Sequence, residues 1–317
     1  MEEPVYTLVE TDPLRMYRIS IGSYSFETPA IAAGSGGRRR VPVERVTVAP
    51  RSEKSARILA RRLRRVRAPL VEVVLDYSLG GVEESVARLL GETVARECPD
   101  GSYCMPPVIV SPRDVLSDYM AVLEGYTAGG GCGVSLPGYD IDAAEALLGA
   151  YGGRCFTVVD AGRRSWRRLT ALRLLGGTPV YLLNIYRGGQ VPRPAYELLF
   201  PLMGVDILGY SRPPLRQIAA MRGEARSGQS GLDKDRMVYV RGGGRFEEVA
   251  PLHLERLVEL VRVRGLGGLE EVCPGCLEII TVVSGEGIGR VAAGEALGAE
   301  LGEDSAPRLH ATGAGSG

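Results

Sequence analysis

Three aspartates are the first candidates for chemistry. Asp76 and Asp160 each directly follow a short β-rich run, and Asp206 lies inside another. In a parallel sheet closed into a barrel, residues at the C-terminal strand ends carry the chemistry. Two carboxylates there could serve as nucleophile and general base at a sugar carbon. Each alone could equally cap a helix or hold a local ion pair.

Cys273-Pro274-Gly275-Cys276 sets two thiols around a turn. That spacing suits a tetrahedral metal such as zinc, which takes about four N or S ligands. A second such pair is missing, and the only histidines are His253 and His310. Glu271 could add an oxygen, and the alternative is a cysteine pair without metal. The other four cysteines, Cys98, Cys104, Cys132 and Cys155, are scattered through a long chain. A disulfide framework is therefore not expected, although intracellular proteins of hyperthermophiles carry disulfides and Cys98 and Cys104 could close such a loop.

Arginines cluster at 37–40, 57–65 and 163–168. Arg61, Arg62, Arg64 and Arg65 fall on the polar side of one predicted helix. Trp166 interleaves with Arg163, Arg164, Arg167 and Arg168. Arginine with an aromatic ring suits phosphate contact and base stacking. The alternative is a solvated helix face, because a basic patch is only an electrostatic footprint. Two glycine-rich stretches, 241–244 and 285–289, lack the strand-to-helix context of a phosphate loop and read as plain loops.

These residues need elements to position them. Candidate strands are 44–48, 71–75, 107–110, 131–135, 155–159, 179–184, 205–210 and 236–240. Helical patterns follow at 53–66, 82–97, 112–124, 143–151, 165–175, 194–203, 214–222 and 252–263. Ile58, Leu59, Leu63 and Val66 form the apolar stripe of the first. Eight alternating units predict an α/β fold with a parallel sheet, and the count favours a (β/α)8 TIM-like barrel over an open doubly wound sheet. Residues 17–33 read as an extra N-terminal β-hairpin. Residues 284–317 are Gly/Ala-rich without an aromatic residue, and a flexible, disordered C-terminal tail is expected there.

The chain has 317 residues, of which 45% are hydrophobic, enough for one large domain. Its 38 basic and 38 acidic residues cancel, so net charge gives no argument for nucleic acid. Nearly all the basic residues are arginine, since only Lys54 and Lys234 are lysine. Codon bias explains that; arginine's bidentate binding of phosphate is the alternative. No apolar run approaches the roughly 20 residues of a membrane span. The acidic N-terminus lacks a signal-peptide pattern, and a cytoplasmic protein is expected.

The stretch 17–36, YRISIGSYSFETPAIAAGSG, resembles the N-terminal hairpin and ETPA segment of the tRNA-guanine transglycosylase family, nearest its archaeosine-type branch. The stretch 179–211 resembles the strand, helix and "GVD" strand that carry that family's nucleophile. Segments 71–81, 131–142, 155–162 and 271–276 follow in the family's order, so the resemblance covers 17–276. It implies a (β/α)8 barrel, residues 1–283, that includes a reduced zinc subdomain near 265–283. The implied activity is exchange of a guanine in tRNA for a deazaguanine, through an Asp attacking the ribose C1′ with a second Asp assisting.

This sequence departs from that pattern at the reacting positions. Three residues after the Asp of "GVD" stands Gly209, which offers no nucleophile. The family's DSGG turn reads Asp76-Tyr77-Ser78-Leu79-Gly80-Gly81. Its base-binding strand reads Ser135-Leu136-Pro137, and its Gly-Gly-Leu strand end reads Asp160-Ala161-Gly162. Glu271 replaces the first zinc cysteine, leaving Cys273 and Cys276 with His310 as a distant ligand. The expected catalytic pair is Asp76 and Asp206. Expected substrate contacts are Ser135, Asp160, Asn184, Tyr210, Arg163, Arg164 and Trp166. The implied partners are tRNA and either a second copy or a catalytic transglycosylase, with no membrane. The reading is of a diverged or supporting member of tRNA modification. The alternatives are an active enzyme with Asp206 or Asp160 as relocated nucleophile, and an unrelated barrel acting on a small molecule.

Overall fold

The structure, a computed structural model, describes residues 2–10, 14–77, 80–110, 116–137, 141–160, 178–183, 191–209, 230–271 and 273. Strands β1 (Val5–Glu10), β2 (Met16–Ile21) and β3 (Tyr24–Glu27) form an antiparallel meander. The expected hairpin is therefore present, joined by a third strand. Its last residues are not part of it. The run Ala30–Ala33 is β4, the first strand of the main sheet, with every residue buried.

The chain continues as β5 (Arg40–Val48), α1 (Lys54–Leu63), β6 (Leu70–Asp76), α2 (Glu84–Arg96), β7 (Tyr103–Cys104), β8 (Val108–Val110), α3 (Leu116–Ala128), β9 (Val134–Leu136), α4 (Ile141–Tyr151) and β10 (Thr157–Asp160). Then come β11 (Val180–Leu183), β12 (Arg193–Pro194), a 3-10 helix (Tyr196–Met203), β13 (Ile207–Leu208), β14 (Ser230–Leu232), β15 (Val238–Arg241) and α5 (Phe246–Arg264). The predicted helices at 165–175 and 214–222 lie outside the described residues, as does the tail.

The main sheet is parallel throughout and curled. Its order is β8-β6-β5-β4-β13-β11-β10-β9, with β7 beside β8 on β6. The earliest strand, β4, pairs with the latest, β13. The two ends of the ladder, β8 and β9, are consecutive in this circuit. Among the described residues no strand pairing joins them, so the expectation of a closed barrel is corrected to a curled sheet with one open seam. The physical reason lies in Pro106-Pro107. Neither proline has an N–H to give a neighbouring strand. Side-chain hydroxyls cross the seam instead. Ser135 Oγ donates to Pro107 O at 2.6 Å, and Tyr103 OH donates to Cys132 O at 2.6 Å. The seam is bracketed by two disulfides, Cys98–Cys104 and Cys132–Cys155; no disulfide framework was expected, the first pair being the one loop closure that the sequence suggested.

A second correction concerns the last predicted strand, 236–240. It forms β15 in a separate small antiparallel sheet with β12 and β14. β4 takes the eighth place in the circuit.

Two apolar layers follow from strand alternation. Val71, Val73, Leu75, Val159, Val180, Leu182 and Leu208 face the helices. Ala30, Ala32, Val41, Val43, Leu70, Val158, Tyr181, Leu183 and Ile207 face the concave interior. Tyr17, Ile19, Ile21 and Phe26 of the N-terminal meander join that inner layer. The meander thus covers the interior at the N-terminal strand ends, where Thr28 N donates to Tyr17 O and Ala30 N to Asp206 O. On the outside, α1 buries Leu59 and Leu63, whereas Ile58 is exposed. Helices α2 and α3 cross at glycines. A Cβ on Gly91 would lie 1.9 Å from Val122 O, and one on Gly125 1.8 Å from Arg88 O.

Candidate functional site

The C-terminal rim of the curled sheet carries two aspartates. Asp76 ends β6 and Asp160 ends β10. By alternation, Asp76 shares the inward face of Leu70, and Asp160 that of Val158. Both are buried. Their ladder partners are Val110 and Leu183. Two inward carboxylates on one rim meet the first condition for acid–base or nucleophilic work at a sugar carbon, which also needs them within about 5–10 Å of each other.

One step below the rim, Ser135 and Tyr181 each pair in register with Val158. Ser135 spends its hydroxyl on Pro107 O across the seam. Beneath lies a buried ionic cluster that the sequence reading missed. Arg45 and Glu72 sit opposite one another on β5 and β6 and form an ion pair. Tyr181 OH donates to Glu72 Oε2 at 2.7 Å. A signal for the cluster existed: Glu72 is a charged residue inside LVEVVLD, a run buried on both faces, and such a residue calls for a partner.

Gly209 follows β13 on the inward face. Its N–H donates to Leu182 O at 2.6 Å. A Cβ there would meet Leu182 O and the Tyr181 ring, both at 2.8 Å. The position that the family resemblance gives to the nucleophile is occupied by its neighbours.

Asp206 lies on the opposite rim. It precedes β13, so it sits at the N-terminal strand ends, away from Asp76 and Asp160. Arg15 Nη2 donates to its Oδ2 at 2.6 Å and to Gly204 O at 2.5 Å. Val180 N donates to the same Oδ2 at 2.7 Å. Burial pushes its carboxyl up to about 6, against the opposing pull of Arg15. The arrangement ties the N-terminal meander to β11 and β13, and it does not join Asp206 to Asp76.

As it stands in the structure, Cys273 offers zinc no thiolate. Cys273 is disulfide-bonded, and a disulfide sulfur is not the thiolate that zinc binds. Cys276 and His310 lie outside the described residues. Among the described residues, Glu3, Cys132 and Cys155 approach one another, but both cysteines belong to one disulfide. His253 is buried, its Nε2 lies 2.7 Å from Asp233 O, and burial pulls its imidazole below the ordinary value.

Of the other expected contacts, Asn184, Tyr210, Arg163, Arg164 and Trp166 lie outside the described residues. The arginines of α1 are exposed as expected. No described helix is long and apolar enough to cross a membrane. Compared with known proteins, the chain matches no family model and no curated protein sequence.

Proposed function

We propose that this chain is a cytoplasmic, tRNA-guanine-transglycosylase-like component of tRNA modification that binds tRNA and does not exchange the base on its own. In this reading the curled sheet is a (β/α)8 barrel whose ladder opens at the β8–β9 seam. The observation that supports it best is the environment of Gly209. The N-terminal hairpin, the "GVD" strand and the order of the strands resemble the family, but the nucleophile's place holds a glycine with no room for a side chain. Losing a nucleophile removes several orders of magnitude of rate. Such a chain would support a catalytic transglycosylase by holding the RNA, either as its partner subunit or beside a second copy. No step of this reading passes through zinc.

The test is paired. The purified chain is assayed for tRNA binding and for incorporation of labelled guanine into tRNA. Binding without incorporation is expected. Absence of tRNA binding defeats the proposal outright.

One observation favours a second reading. Asp76 and Asp160 end strands on the same rim and face inward, as an active glycosyl-transfer enzyme with a relocated nucleophile would need. Incorporation by the chain alone, lost in Asp160→Asn or Asp76→Asn while folding is retained, would establish this reading instead. Asp206 has no place in it, because it lies on the other rim.

A further inference from the structure

Helix α1 runs down the outer wall and has the sequence KSARILARRL, without an acidic residue. Arg57 and Arg61 stand four residues apart along it, about 6 Å in height at 1.5 Å per residue, and Arg65 follows in the turn just past its end. With Arg64, Ala60 and Glu97 they line an open groove of about 500 Å³ between α1 and the end of α2. Glu97 pairs with Arg64 at 2.7 Å and so fixes one wall. It leaves Arg57, Arg61 and Arg65, which have no acidic partner among the described residues.

Such a row is costly in isolation. Like charges at this spacing repel by a few tenths of a kcal/mol per pair. The same chain avoids that cost next door. On α2, Arg88 pairs with Glu84 and Glu124, and Arg96 pairs with Glu92. The dipole at the C-terminus of α1 favours arginines in its last turn, but it does not reach Arg57, a residue of the first turn.

We propose that this groove is a binding site for a nucleic-acid phosphodiester backbone. The lining decides between a nucleic acid and an acidic protein. It contains no large apolar side chain, whereas protein interfaces bury an apolar or aromatic centre. Backbone sites on nucleic-acid-binding proteins need only hydrogen-bond donors and positive charge, arginine and lysine foremost, and no apolar centre. Planar guanidinium groups bind phosphate through two parallel hydrogen bonds. The groove is separate from the aspartate rim, since α1 leaves that rim and ends toward the opposite one. A bound RNA would therefore reach around the outer wall. That the nucleic acid is RNA rests on the function proposed above; the phosphate chemistry does not.

The test measures binding of unmodified tRNA, and of a DNA duplex of similar length, from 50 to 300 mM salt. It compares the full chain with Arg57→Ala/Arg61→Ala/Arg65→Ala and with a control, Arg88→Ala/Arg96→Ala. Urea unfolding checks that each variant folds, and Arg61→Glu serves as a second, single-site variant. The slope of log K against log salt should fall in magnitude by about 2–3 in the triple variant, from roughly 0.7–0.9 per neutralised phosphate. The control should bind as the parent does. Arg61→Glu should weaken binding more than tenfold at the lowest salt. An equal loss for tRNA and DNA means the groove reads phosphate alone; a loss for tRNA only assigns it to RNA, and both outcomes support the proposal. Polyglutamate competing as well as tRNA at equal charge would overturn it in favour of acidic protein. So would unchanged affinity for both nucleic acids in the triple variant, which leaves the proposed function standing; a parent chain that binds the duplex but not tRNA removes the proposed function alone, and one that binds neither removes both.

Discussion

The ring of Tyr181 lies where a side chain on Gly209 would have to begin, 2.8 Å from an ideal Cβ. Leu182 O closes the other side at the same distance. Tyr181 cannot simply swing away, because its hydroxyl is held by Glu72 and its ring is fully buried. An aspartate placed at 209 would therefore collide before it could act. Gly209→Ala should cost about 1–3 kcal/mol through overpacking, measured by urea unfolding. Gly209→Asp should cost more and should not create guanine exchange. A well-folded, exchange-competent Gly209→Asp would show that the interior yields more than its packing implies.

The pair of Arg15 and Asp206 predicts a pH effect. Asp206 in the folded chain is pushed up to about 6 from an ordinary carboxyl value. In the window between that ordinary value and about 6 the folded state binds more protons than the unfolded one, so this group's contribution to stability grows as pH falls from 7 to 5. Arg15→Met removes the cation and leaves a buried carboxylate. At pH 7 that should cost about 3–5 kcal/mol. At pH 5 the deficit against the parent should be smaller, because the variant's carboxyl takes up its proton. A deficit of equal size at both pH values would mean that Asp206 does not titrate in this range.

Two glycine substitutions should move stability in opposite directions. Gly91→Ala drives a Cβ to 1.9 Å from Val122 O, backbone that cannot move without parting α2 from α3. A loss above about 3 kcal/mol is expected, at the severe end of overpacking. Gly149 lies inside α4 with nothing within 4 Å of its ideal Cβ. There alanine should add about 0.5–1 kcal/mol from helix propensity. Thermal unfolding of the two variants beside the parent decides both.

The disulfide between Cys132 and Cys155 closes a loop of 23 residues' separation. Constraining the unfolded chain over that length contributes about 3 kcal/mol. Cys132→Ser/Cys155→Ser should lower the unfolding free energy by about that amount, and reductant should then shift the variant less than the parent. Thiol counting under denaturant, before and after reduction, in the parent and in this variant reports whether the Cys132–Cys155 bridge forms in the purified chain.

The sequence disclosed most of the alternation, because strands such as 71–75 and 155–159 are short, mostly apolar runs separated by helical stripes. It misplaced the eighth strand for a physical reason. Ala30–Ala33 is only four residues long, made of small residues, and joined to a hairpin, so it read as that hairpin's end. The run 236–240 alternates like a barrel strand, yet it pairs with β12 and β14. The open seam was hidden because strand pairing depends on partners far apart in sequence, although Pro106-Pro107 marks an edge once that edge is known. At the site, Asp76 and Asp160 were legible as strand-ending carboxylates. Asp206 was paired with Asp76 although the predicted strand 205–210 already put it near that strand's start; β13 at Ile207–Leu208 leaves it just before the strand. Glu72 and Arg45 went unnoticed because neither belongs to a motif; only their opposition across two strands gives them meaning.

The pairing of the first sheet strand with the last has a consequence for the newly made chain. Ala30 waits for Ile207, roughly 180 residues later, which at about 5–20 residues per second is roughly 10–35 s of synthesis. Throughout that time one edge of β4 faces outward unpaired, beside a meander whose Tyr17, Ile19 and Phe26 have only part of the inner layer to cover. An exposed strand edge next to apolar rings is what nascent-chain chaperones bind, and the amino-terminal third of this protein should be where they attach.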